Sequence, residues 1–139
     1  MISIAMAPGP ETGARLGAIS LVVPDYDEAI AFYVGKLRFA LTEDTRLSDE
    51  KRWVTVCPPG GGCQLLLAQA ATDEQRAVVG RQAGGRVFLF LRTDDFDRDH
   101  AEMTAAGVHF REAPRNEAYG RVAVWEDPFG NAWDLVEPS

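Results

Sequence analysis

The sequence predicts an α+β protein built from two β-α-β-β-β modules. Three observations carry this. First, Ala18-Ile-Ser-Leu-Val-Val-Pro-Asp25-Tyr-Asp27 and Phe88-Leu-Phe-Leu-Arg-Thr-Asp-Asp95-Phe-Asp97 are weak copies of each other seventy residues apart. Second, at the same offset Val54 meets Val124, Pro58 meets Pro128, Gly60 meets Gly130 and Leu65 meets Leu135, so the matches fall at both ends of each half. Third, each half shows the same succession of apolar run, helical stripe and three further short runs. A protein of two such modules can build a cleft between its halves.

The elements follow in order. Leu16 to Val23 is a nearly unbroken apolar run rich in β-branched residues, which reads as a strand closed by Pro24. Asp25 is placed to cap a helix, with Glu28 completing a capping box. Tyr26, Ile30, Tyr33 and Leu37 form one apolar stripe on that helix, predicting that it packs on the sheet. Strands follow over Phe39 to Arg46 and Arg52 to Cys57. The turn Pro58 to Gly62 then leads into Cys63 to Ala68. Thr72, with Gln75 as its box partner, starts a connecting helix that Gly84-Gly85 stops. Arg86 to Thr93 repeats the opening strand. Asp95 caps a helix whose stripe is Phe96, His100, Met103 and Gly107. Val108 to Arg111, Gly120 to Trp125 and Ala132 to Val136 are the last strands. The expected organisation is a flexible leader over 1–15, modules at 16–69 and 86–139, and a connecting helix over 70–85.

Composition narrows the function. The chain has 139 residues, 46% hydrophobic and 25% charged, with a formal net charge of -7. That balance fits a globular protein and argues against nucleic acid, which needs clustered Lys and Arg. No apolar run approaches membrane length, and the start lacks the pattern of a secretory signal, so a cytoplasmic protein is expected. Cys57 and Cys63 are the only cysteines and flank a glycine turn, which reads as two free thiols.

The tail Asp127-Pro-Phe-Gly-Asn-Ala-Trp-Asp-Leu135 resembles a signature of the vicinal oxygen chelate superfamily, which includes glyoxalase I, bleomycin-resistance proteins and extradiol dioxygenases. Ile19-Ser-Leu-Val-Val-Pro-Asp-Tyr-Asp-Glu-Ala-Ile-Ala-Phe-Tyr33 is similar to that family's first strand and helix. Lys36-Leu-Arg-Phe39 resembles its Leu-Gly-Phe step, with Arg38 where glycine is common, and Ala105-Ala-Gly-Val108 fits the matching step of the second half. The resemblance runs from Leu16 to Pro138. It implies curved mixed sheets around a cleft, the glyoxalase/bleomycin-resistance fold. In the tail, Pro128 and Gly130 supply a turn, and Asn131 is expected to tolerate the left-handed backbone.

Enzymes of this superfamily hold a divalent metal at four equivalent strand positions. By the resemblance those are Ala18, Gln64, Phe88 and Asp134 here. Alanine and phenylalanine cannot ligate, and two donors are fewer than the three that catalytic sites usually keep. No metal or other cofactor is therefore expected. His100 reads as a packed structural histidine and His109 as a surface or rim residue.

What remains is an alternating face. Ala18, Ser20 and Val22 would share it with Gln64 and Leu66, and Phe88, Phe90 and Arg92 with Ala132, Asp134 and Val136. Ile19, Leu21, Leu65, Leu89, Leu91 and Leu135 would pack under the helices. Trp53 with Thr55, and Trp125 with Ala123, would add to the cleft walls, and Tyr119 would border them. Arg92 and Asp134 could pair with each other or serve a ligand. The candidate ligand-binding residues are thus Trp53, Gln64, Phe88, Phe90, Arg92, Tyr119, Trp125 and Asp134. Three functions compete. The favoured one is metal-free binding of a small, partly aromatic or cationic molecule in the inter-module cleft. The second is a metal-dependent lyase, isomerase or dioxygenase of the same superfamily, and only this reading calls for a divalent metal. The third is a non-catalytic interaction module. Relatives imply a homodimer.

Overall fold

The computed structural model describes residues 12–139, in two compact units, one ending at Arg76 and one spanning Ala77–Ser139. Of the leader expected over 1–15, residues 1–11 lie outside the described residues. Each unit carries one curved mixed sheet, as the sequence predicts. No helix among the described residues is long and apolar enough to cross a membrane.

In the first unit β1 (Ala18–Val23) leads into α1 (Tyr26–Ile30), and β2 (Ala40–Arg46), β3 (Arg52–Cys57) and β4 (Gln64–Gln69) follow. The sheet order is β1-β4-β3-β2. β1 runs parallel to β4 because the helix carries the chain back across the sheet, whereas β2, β3 and β4 pair antiparallel through short connections. Asp25 caps α1 by accepting from the Glu28 amide at 2.8 Å. Instead of a Glu28 side chain reaching back, Gln69 at the end of β4 accepts from the Tyr26 amide at 3.1 Å. The second unit repeats the device, with Asp95 capping at Arg98 and Glu137 accepting from the Phe96 amide at 2.7 Å. A last-strand side chain thus ties the helix start to the sheet in both halves.

The first helix does not stay α-helical. Ala31–Lys36 widens into a π-helix. Its slower turn brings Phe32 and Tyr33 both to the buried side and leaves Ile30 half-exposed, so the stripe differs from a straight-helix reading. Tyr33 meets Phe32 edge-on at 5.0 Å and Phe39 at 5.7 Å. Under the helix lie Leu21, Val23, Val54, Val56, Leu65 and Leu67, all buried. Between the helix and β2, Arg38 adopts φ 61. This left-handed conformation costs an L-residue roughly 1–2 kcal/mol, and only glycine adopts it freely. Arg38→Gly therefore raises stability by up to about 1 kcal/mol, after allowing for the added freedom of the unfolded chain. Urea unfolding of the two proteins side by side checks this.

α2 (Asp73–Val78) joins the units and starts as expected. The Gln75 amide donates to Thr72 Oγ1 at 3.1 Å, and Gln75 Oε1 accepts from the Ala71 amide at 2.7 Å. The second unit contains β5 (Val87–Arg92), α3 (Phe96–Ala105), β6 (His109–Phe110), β7 (Arg115–Glu117), β8 (Gly120–Glu126) and β9 (Ala132–Pro138). Its sheet order is β5-β9-β8-β6, and β7 also pairs with β8. β7 is absent from the sequence reading. Pro114 cannot donate to a ladder, so the edge strand breaks into two short pieces on β8. From α3, Phe96 and Met103 are buried against the sheet, where Ala123, Leu135 and the stacked pair Trp125 and Trp133, 4.9 Å apart, lie under the helix. His100 is sandwiched between Phe96 at 5.5 Å and Phe110 at 4.3 Å, a packing role. His109 sits at the rim, 4.0 Å from Glu126.

The β8–β9 hairpin is organised by Asp127. Its carboxylate accepts from the amides of Phe129 at 3.0 Å and Asn131 at 2.9 Å, and from Asn131 Nδ2 at 2.8 Å. Gly130 alone in this turn takes a positive φ, of 104°. Asn131 does not adopt the left-handed backbone; its contribution is the side-chain bond to Asp127.

The two units are not related by a constant offset of seventy. Ala18 lies opposite Gln64, but Phe90, not Phe88, lies opposite Asp134, because a bulge at Phe88 shifts the register of β5. Thr55 lies opposite Leu66, whereas Val122 lies opposite Val136. Thr55 and Val122 are 67 residues apart, an odd difference from seventy that exchanges the two faces of the strand. The identity of Val54 with Val124 is therefore a coincidence of alignment: Val54 faces the helix and Val124 the other side.

Candidate functional site

Each sheet has one face under its helix and one opposite face, and the unspent chemistry lies on the second. In the first unit that face carries Ala18, Ser20, Gln64, Leu66, Thr55 and Trp53. Gln64 is 1% exposed, yet its Nε2 has no hydrogen-bond partner. Its Oε1 accepts from Thr42 Oγ1. Thr42 Oγ1 also lies 3.0 Å from the Thr55 carbonyl and 2.6 Å from Thr55 Oγ1. Thr42 reaches this point because a bulge between Leu41 and Glu43 turns it inward. Trp53 Nε1 is likewise buried without an acceptor. This face therefore presents donors.

In the second unit the corresponding face carries Phe90, Arg92, Val122, Val124, Asp134 and Val136. Asp134 is 6% exposed, and its Oδ1 accepts no hydrogen bond. Phe90, directly opposite on β5, is 66% exposed, the reverse of what an aromatic left to itself adopts. Burial pushes the Asp134 carboxyl above the ordinary aspartate value; the nearby Arg115 guanidinium opposes the shift and the Glu112 carboxylate reinforces it. Arg115 does not neutralise Asp134. Its Nε donates to Glu112 at 3.1 Å and its Nη1 to Glu117 at 2.6 Å, and the Tyr119 hydroxyl lies beside it. Glu112 also accepts from the Val124 amide at 3.0 Å, filling the gap left where Pro114 breaks the edge strand. This face presents an acceptor beside an exposed aromatic ring.

Set against the residues expected from sequence, the structure groups Trp53 with Gln64, and Phe90 and Arg92 with Asp134. Tyr119 stands at the rim next to Arg115, mostly exposed. Arg92 makes no ion pair with Asp134; it sits opposite Val136. Trp125 is corrected: it is fully buried opposite Trp133, on the helix side. Phe88 is corrected too, since its bulge sends it to the wall of a separate cavity with Arg86, Arg111 and Ala132. The sequence reading missed Thr42, Glu112 and Arg115. A bulge leaves no trace at Thr42, but the charged run Arg111-Glu-Ala-Pro-Arg115-Asn-Glu117 ahead of β8 is a visible signal of a broken edge.

Comparison with known proteins follows the same lines. The sequence profile of the Glyoxalase/Bleomycin resistance protein/Dioxygenase superfamily matches residues 15–135. An uncharacterized protein of Shewanella frigidimarina (strain NCIMB 400) is 57% identical over 121 residues, covering 86% of this chain and 90% of that protein. The crystal structure of TnmS3, an antibiotic binding protein from Streptomyces sp. CB03234, is 31% identical with a TM-score of 0.73, covering 94% of this chain and 100% of that one. A superfamily member from Sphaerobacter thermophilus DSM 20745 is 32% identical with a TM-score of 0.74, covering 89% of this chain and 97% of that one.

Proposed function

Since the chain belongs to the glyoxalase/bleomycin resistance protein/dioxygenase superfamily, we propose that it binds a small aromatic molecule bearing a cation or hydrogen-bond donor, and does so without a metal. The observation that carries this reading is Asp134 Oδ1, a buried acceptor with no partner, on the face that exposes Phe90. Leaving such a group unpaired costs about 1–3 kcal/mol, which a ligand donor recovers on binding. Phe90 offers a ring for stacking, and a protonated amine near Asp134 would gain a charge-assisted hydrogen bond. The first unit, taken by itself, has two buried donors without partners on its own open face, Gln64 Nε2 and Trp53 Nε1. That TnmS3 is an antibiotic binding protein supports a small-molecule ligand.

The metal-free part rests on donor chemistry. The register makes Ala18, Gln64, Phe90 and Asp134 the equivalent positions of the two sheets. Methyl and phenyl groups have no lone pair to give. One amide and one carboxylate fall short of the three ligands usual in a catalytic centre. The residues present do not fit the superfamily's metal, and the proposal routes no step through one.

Tryptophan fluorescence tests this reading, with a panel of aromatic antibiotics and aromatic amines titrated in the presence of EDTA. Saturable quenching at micromolar concentration by amine-bearing members is the expected result. Failure of every compound to saturate, or a signal that vanishes on chelation, overturns it.

A further inference from the structure

The second unit has another cavity, at the hairpin end of its sheet. It is a shallow hollow that opens to solvent, about 220 Å³ with that open space included, between the glycine turn after α2 and the Asp127–Ala132 turn. Arg81, Arg86 and Arg111 line it, with Phe88 as a wall, and no acidic residue does. In a chain with a net charge of -7 this concentration of cations is unusual. Arg111 is already paired, with Nε 2.7 Å from Glu126. Arg81 and Arg86 are exposed and make no ion pair and no side-chain hydrogen bond with any described residue; Arg38 and Arg92 share this, but here two such arginines line one cavity, whereas Arg52, Arg76, Arg98, Arg115 and Arg121 are paired.

Asn131 lines the same cavity and is 2% exposed. Its Nδ2 donates to the Asp127 carboxylate, which fixes the amide orientation, because the reverse would set oxygen against carboxylate. Its Oδ1 is then a buried acceptor with no partner. Two unpaired guanidinium groups call for an anion, and one unpaired amide oxygen calls for a donor.

We propose that this cavity is a second binding site, for a small oxyanion that also carries a hydroxyl group, such as hydrogen phosphate or a 2-hydroxycarboxylate. Arg81 and Arg86 take the oxyanion, and Asn131 Oδ1 accepts from the hydroxyl. The site lies about 7 Å along β9 from Asp134, two residues at strand spacing, and its ligand has the opposite charge to the one proposed there.

The test is a titration of isotope-labelled protein at constant ionic strength, followed by backbone amide shifts, with phosphate, glycolate and acetate in separate arms. Saturable shifts at residues 80–86 and 130–132 with phosphate identify the phosphate form of the ligand, and with glycolate the carboxylate form. Acetate, lacking the hydroxyl, is expected to bind about three- to tenfold more weakly than glycolate. The double variant Arg81→Ala/Arg86→Ala, whose side chains hold nothing in the fold, is expected to bind at least about tenfold more weakly. Asp134→Asn removes a negative charge about 7 Å away and is expected to leave this binding equal or tighter, the opposite of its effect on the aromatic ligand face, so the two outcomes are separable. Shifts that rise without saturating in both the phosphate and glycolate arms overturn the proposal. So does a double variant that binds as tightly as the parent or, where glycolate saturates, acetate that matches it.

Discussion

Replacing Gly80 with alanine lowers stability by about 3 kcal/mol or more, roughly 10 °C in Tm for a chain of this size. Gly80 sits at φ +75, and a Cβ built on it would lie 2.0 Å from the Phe129 carbonyl oxygen and 3.5 Å from the Gly130 Cα. Backbone cannot yield as a side-chain tip can. The left-handed conformation adds roughly 1–2 kcal/mol for any L-residue. The consequence is local as well as global, because the displaced Phe129–Gly130 turn is the one that Asp127 holds through its carboxylate. Gly35 is the control. It has no positive φ, and its Cβ would meet nothing within 4 Å, so Gly35→Ala is neutral or stabilising by a few tenths of a kcal/mol. Thermal melts of the two variants beside the parent check the pair, and equal effects would remove the steric account.

Asp134→Asn separates stability from recognition. The amide needs no counter-charge, so the variant is more stable than the parent at neutral pH. The sign follows from the raised carboxyl. Above the ordinary value of 3.8 and below its own raised value, Asp134 holds a proton in the folded state that the unfolded chain has already lost. Stability from this group therefore declines as pH rises through that window, and the decline is complete above the folded value. The advantage of the variant is accordingly small below pH 3.8, grows through the window and then stays level. Binding moves the other way. Loss of a charge-assisted hydrogen bond weakens an amine-bearing aromatic ligand by about tenfold or more. Urea unfolding at a series of pH values, with fluorescence titration at pH 7, reads both. A variant that is less stable and binds normally would show Asp134 to be structural.

How legible this was in the sequence depends on what sets each feature. The alternation along β1, β4, β5 and β9 divides the under-helix aliphatic residues from Gln64, Phe90 and Asp134, and period-two reasoning finds it because those strands keep parity across the repeat. Trp125 was misplaced because parity across β8 depends on the pairing register, and the copies differ there by an odd number of residues. Phe88 and Thr42 stand at bulges, which insert one residue without any residue type to announce it. The capping aspartates Asp25 and Asp95 were visible because capping is local, whereas their partners Gln69 and Glu137 come from the far end of the sheet. The Asp134 environment depends on Glu112 and Arg115, 22 and 19 residues away in sequence, and the broken edge strand brings them near.

The proposed role of the face bearing Phe90 and Asp134 is to recognise a small molecule without a metal ion. The most direct measurement is a crystal structure of protein purified without chelator and soaked with the tightest-quenching aromatic amine, recorded where transition metals scatter anomalously. The account predicts ligand density against Phe90 with a nitrogen within hydrogen-bond distance of Asp134, and no anomalous peak at that carboxylate. A metal peak ligated by Asp134 would contradict it.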